Sequence, residues 1–142
     1  IIMSKNAVIS LLSEKVDLEE EKVEVITPGQ FYKRGECYYV VYEETELSGM
    51  EGTKTTLKIA PENMSLIRFG NTKTSMNFKT NEESVVLYNC QYGAFELKIE
   101  TKDLDIRMDD NGGEVIVDYN ISILGDEPQR TLLKVVIKTQ EN

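Results

Sequence analysis

Apolar and polar residues alternate with a period of two along almost the whole chain, the spacing of a strand with one buried face and one wet face. The clearest instance is 95–100, where Phe95, Leu97 and Ile99 alternate with Glu96, Lys98 and Glu100. The same pattern runs through Ala7, Ile9 and Leu11, through Val23 and Val25, and through Thr55, Leu57 and Ile59. It returns at Met76 and Phe78, at Leu104, Ile106 and Met108, from Val115 to Ile123, and at Leu133, Val135 and Ile137. Turn residues separate these runs: Arg34-Gly35-Glu36, Pro61-Glu62-Asn63, Gly70-Asn71, Asp110-Asn111-Gly112-Gly113 and Gly125 to Pro128. Pro28-Gly29 predicts a bulge or bend in the second run, because proline has no N–H to give to a ladder. Residues 13–22 have a helix-compatible composition but no apolar stripe, so helix does not compete.

About ten strands at close spacing, each followed by a turn signal, predict an all-β fold made of sequential antiparallel hairpins. A meander of that length has an edge problem, since unpaired strand edges recruit other chains, and closing the sheet removes it. The expectation is therefore one domain over 1–142, an up-and-down antiparallel barrel of about 8–10 strands with no long helix. The rival is a two-layer sandwich, which would need Greek-key crossings. A chain of 142 residues buries roughly 68–70% of its unfolded surface and needs no metal or disulfide to be stable.

The chemistry is defined mostly by what is missing. With no histidine in the chain, Ser-His-Asp and Cys-His arrangements and most zinc sites are excluded. The glycines form no phosphate-binding loop. Asp103, Asp105, Asp109, Asp110 and Glu114 lack calcium-loop spacing, because Glu114 and not glycine stands sixth from Asp109. They read as a solvated rim, and no metal or cofactor is expected. Twenty-five acids against 16 bases leave a net charge of −9, which repels nucleic acid and anionic membranes. No run approaches the about 20 apolar residues of a membrane span. Ile1-Ile2-Met3-Ser4-Lys5 lacks the basic-then-apolar order of an export signal, so a cytoplasmic location is expected. Cys37 and Cys90 then read as reduced, small core residues without a basic neighbour to activate them.

One segment breaks the apolar logic. Period two puts Tyr38, Val40, Tyr42 and Glu44 on one face, so a carboxylate joins an apolar row. Arg68, in phase with Met64 and Leu66, is the natural partner for it inside a barrel. The competing reading is a strand end where both charges are simply wet. Glu43 and Glu44 point to opposite faces, poor geometry for a cooperating acid pair, and the chain is not expected to be an enzyme.

As an ordered set, several segments resemble the YwiB-like family of small bacterial proteins of unassigned function. They are Tyr42-Glu43-Glu44-Thr45-Glu46-Leu47, Thr53 to Ile59, Leu66-Ile67-Arg68-Phe69-Gly70, Tyr88 to Gly93, Phe95 to Thr101 and Gly113 to Tyr119. The resemblance implies a calycin-type, lipocalin-like barrel, and it supplies no reaction. The chain has no tryptophan and so lacks the Gly-x-Trp signature of lipocalins themselves. Two functions follow as expectations. The first is a barrel that holds a small, partly apolar ligand, lined by Tyr42, Tyr88, Tyr92, Phe95 and Tyr119, with Glu44 and Arg68 fixing a polar end. The second is a filled barrel acting through its acidic surface on a basic protein partner. Interior volume separates them, and neither fixes an oligomeric state.

Overall fold

The computed structural model describes residues 3–17, 21–123 and 125–140. Within them the strands are β1 (Lys5–Lys15), β2 (Lys22–Arg34), β3 (Cys37–Glu43), β4 (Thr53–Ile59) and β5 (Met64–Gly70). They continue as β6 (Thr74–Phe78), β7 (Glu83–Cys90), β8 (Gly93–Asp109), β9 (Gly112–Ile123) and β10 (Gln129–Thr139). Only a single 3₁₀ turn, Glu46–Ser48, interrupts the strands among the described residues. The stretch from Asp17 to Glu21, which reads in the sequence as a polar, acidic turn, lies partly outside the described residues.

All ten strands form one antiparallel sheet in the order β6-β5-β4-β3-β2-β1-β10-β9-β8-β7. Every neighbour is also a neighbour in sequence except β1 and β10, which pair from Ala7↔Thr139 to Lys15↔Thr131. No Greek-key crossing occurs, so the sandwich is ruled out. The two ends of the order meet through one bridge, where Lys73 and Asn89 exchange backbone hydrogen bonds of 2.8 and 2.9 Å. The sheet is a nearly closed barrel.

Alternation sends Ile9, Val40, Leu57, Ile59, Met64, Ile99, Val115, Val117, Val135 and Ile137 inward, where they are fully or almost fully buried. Because successive strands run up and down, the β1–β2, β3–β4, β5–β6, β7–β8 and β9–β10 connections all lie at one end of the barrel. This end is the mouth. The start of β1, the end of β10 and the other turns lie at the opposite end.

Three local expectations are corrected. The runs 95–100 and 104–108 are not two strands; they belong to β8, whose register to β9 slips between Thr101 and Asp103. One extra residue there is a β-bulge, which shifts the inward set from odd to even numbers. Pro28-Gly29 does not break β2. The strand pairs with β1 straight through Val8↔Pro28, and β3 joins its other edge only from Gln30 onward. Pro28 therefore lies where that edge has no ladder to supply. Cys37 and Cys90 are free as expected, but both are half-buried and not core residues.

Gly29 has a different reason for its place. A Cβ there would stand 2.3 Å from Ile9 Cδ1 and 2.6 Å from the Val41 carbonyl oxygen. The space that a side chain would take here is already held by Ile9 and the β3 backbone. Gly29→Ala is therefore expected to lower stability by about 1–3 kcal/mol, the usual range for overpacking. Urea unfolding should show a lower midpoint at unchanged m-value, and an unchanged midpoint would show that the wall can give at this position.

Candidate functional site

The mouth half of the barrel is not filled. A cavity of about 510 Å³ lies between its walls and opens toward the loops. Register explains how its lining is sorted. Tyr42 pairs with Thr55, Thr55 with Arg68, and Arg68 with Thr74, so one inward row crosses β3, β4, β5 and β6. Tyr88 on β7 follows, because it precedes Asn89 of the closing bridge as Thr74 follows Lys73. Of this row Tyr42, Arg68 and Tyr88 line the cavity and, with Glu44, make one wall polar, while Thr55 and Thr74 are buried within the row. The facing wall is apolar, built from Leu11, Val23, Val25, Leu97, Ile121, Ile123 and Leu133. Toward the filled end lie Leu66, Met76, Phe78 and Tyr119, with the Phe78 and Tyr119 rings 5.0 Å apart and tilted by 58°.

Glu44 falls one residue beyond β3, yet its N–H still donates to the Thr53 carbonyl at 2.9 Å, which preserves the strand's phase and keeps the side chain inward. Its carboxylate accepts the Thr55 hydroxyl at 3.1 Å. The expected Glu44–Arg68 contact does not form as an ion pair. Both charges line the cavity, but Glu44 is held by Thr55, and Arg68 Nε has no hydrogen-bond partner among the described residues. The hydroxyl of Thr74, beside Arg68 in the ladder, also has none. Tyr88 donates to Met50 Sδ at 3.7 Å, a weak acceptor.

The tyrosines report the field inside. Burial pushes the Tyr42 phenol well above its ordinary value of 10.0; Glu44 pushes it the same way and Arg68 opposes. Burial raises Tyr119 as well, with Arg68 again lowering it. One guanidinium is therefore felt by phenols on two sides of the chamber.

Of the residues expected at the site, Tyr42, Glu44, Arg68, Tyr88, Phe95 and Tyr119 all line this cavity. Tyr92 does not. It is 81% exposed in the β7–β8 turn and lines an adjoining, more polar hollow of about 700 Å³, beside Asn71 and Glu51, that shares Ser48, Met50 and Tyr88 with the cavity. Met50 and Ser48 had no strand phase to reveal them. They reach the cavity because the 3₁₀ turn folds the β3–β4 connection over the mouth, where β2 has no β3 beside it. Leu47 in the 3₁₀ turn and Phe69, outward on β5 next to Arg68, are exposed at 75% and 71%. At the closed end, Asp110 accepts the Tyr38 hydroxyl at 2.8 Å and lies 3.6 Å from Lys33 Nζ. Among the described residues no group of three or more His, Cys, Asp or Glu side chains converges as a metal set. No helix among them is long and apolar enough to cross a membrane.

Residues 9–135 match the family described as a domain of unknown function, DUF1934. The chain belongs to that family. A DUF1934 chain of this kind is similar to the uncharacterized beta-barrel protein YwiB of Bacillus subtilis (strain 168). The two are 29% identical over 114 residues, which cover 80% of this chain and 78% of YwiB. The crystal structure of the ywiB protein from Bacillus subtilis superposes with a TM-score of 0.80 at 19% identity, covering 99% of this chain and 94% of that one. That likeness fixes the fold, a β-barrel of ten strands.

Two measurements test this geometry. Thr55→Val should cost about 1.5–3 kcal/mol, the range for a hydrogen bond to a charged group, and clearly less when Glu44 is already Gln. A thermodynamic cycle of those two changes is expected to couple more strongly than one of Glu44→Gln with Arg68→Met; the reverse order would mean that the two charges do pair. The second is alkaline. The Tyr42 phenol ionises near its ordinary value once unfolded but stays neutral in the barrel, so its contribution is intact below about pH 10 and is lost as pH rises further. Denaturant midpoints should fall above that pH, and less steeply in Tyr42→Phe. Parallel curves for the two proteins would remove Tyr42 as a source of the loss.

Proposed function

We propose that this protein is a non-catalytic, cytoplasmic binding module that holds one small, partly apolar ligand inside its barrel, in the manner of lipocalin-like barrels. The observation that carries this reading is the cavity of about 510 Å³, which has one apolar wall and one wall bearing Tyr42, Glu44, Arg68 and Tyr88. Sites for small ligands are chambers of roughly 300–1,000 Å³ with mostly apolar lining and a few convergent polar groups. Apolar area supplies the affinity, and the polar groups select among ligands by what they leave unpaired. The alternative is a barrel acting through its acidic surface on a basic partner; an open mouth half of about 510 Å³ favours the ligand reading over it.

N-phenylnaphthylamine, an uncharged apolar fluorophore, provides the test. Its emission is expected to rise saturably on titration with the protein, with one site per chain. Ile121→Trp places a large ring into the chamber from the apolar wall and should weaken binding by about tenfold or more while far-UV circular dichroism stays that of a barrel. A folded protein that gives no saturable signal, or an Ile121→Trp variant that binds as well as the parent, overturns the proposal. Salt-sensitive binding of a basic protein by such an unresponsive barrel would favour the surface reading.

A further inference from the structure

The polar wall is itself divided, and the division bears on what the ligand carries. On the β3–β4 side of Arg68 the acceptor and donors are matched: the Glu44 carboxylate takes the Thr55 hydroxyl, and the Tyr42 phenol lies against both. On the β6–β7 side there is a guanidinium, which can only donate, with two neutral hydroxyls and no carboxylate beside it. Arg68 Nε and the buried Thr74 hydroxyl have no partner among the described residues, and the Tyr88 hydroxyl reaches only the Met50 sulfur. The ladder step Arg68↔Thr74 and the bridge Lys73↔Asn89 set these three residues side by side. Unpaired buried donors are costly, and a positively charged one most of all.

Resting on the proposal that the barrel interior is a ligand site, we infer that the ligand bears a monoanionic carboxylate group, received by Arg68 with Tyr88, and an apolar body that lies against the facing wall of Leu11, Val25, Ile121 and Leu133. A carboxylate presents two acceptor oxygens, which suits a guanidinium fork with one hydroxyl donor beside it. One cation faces this corner, and Glu44 sits on the far side of it, so a second negative charge on the ligand would enter uncompensated. A monoester phosphate is therefore a poorer fit than a carboxylate, and an ammonium head is repelled.

Matched ten-carbon chains that differ only in the head, decanoate, decanol, decylammonium and decyl phosphate, are to be compared by displacement of N-phenylnaphthylamine. Decanoate is expected to displace it at a concentration about tenfold or more below decanol, the worth of one charge-assisted contact, and ahead of both other chains. In Arg68→Met the advantage of decanoate over decanol should vanish while the affinity for decanol is kept. Arg68→Gln serves the same purpose if the methionine variant does not fold. Decanoate binding no better than decanol, an advantage that survives loss of Arg68, or a preference for decylammonium or decyl phosphate each overturns the carboxylate assignment and leaves the cavity reading standing. Failure of the fluorophore itself to bind the parent protein removes the cavity reading, and the present inference falls with it.

Discussion

The barrel depends on the pairing of its first and last strands. β1 and β10 lie more than a hundred residues apart, yet they share a ladder from Ala7↔Thr139 to Lys15↔Thr131. Every other ladder joins strands adjacent in sequence, which a meander forms locally. Without β1–β10 the chain would be two open sheets, β1–β6 and β7–β10, joined only at the Lys73–Asn89 bridge, the first exposing Ile9 and its neighbours and the second Val135 and its own. With it, the two apolar faces curl onto each other and bury the same core. The constraint also sets the folding order that topology favours: hairpins first, and the closure with the largest loop entropy last.

The cavity follows from how that closure is filled. Toward the termini the inward residues are β-branched or large, and they meet across the barrel. Toward the mouth the inward set includes Thr55, Arg68 and Thr74 on one side and aliphatic side chains on the other, and this mixture does not interlock. A polar row cannot be packed like an apolar one, because each group needs a partner as well as a volume. The chamber lies where the sequence departs from apolar inward positions.

Much of this was legible before any coordinates, because parity carries along a strand without loss. Tyr42, Glu44, Arg68, Tyr88 and Tyr119 face inward as their numbering implies. Parity fails where the backbone changes its count. Tyr92 shares the phase of Tyr88, but the strand ends at Cys90 and the turn carries Tyr92 outside. At Lys102 a bulge reverses the phase within one strand, and that reversal looks like a strand boundary in the sequence. Parity also names a face and not a reach. Glu44 and Arg68 share the chamber, but Thr55 stands nearer the carboxylate and takes it. The 3₁₀ turn that brings Met50 over the mouth has no periodicity to read at all.

The closing bridge between Lys73 and Asn89 gives the wall one line of mechanical weakness. Parting the barrel along any other line breaks a full ladder, whereas parting it between β6 and β7 breaks two backbone hydrogen bonds among the described residues. The compliance of the wall is therefore anisotropic, like a bracelet with a clasp. A wall forced to widen would yield first at this clasp, beside Thr74 and Tyr88, while the β1–β10 ladder across the barrel stays shut.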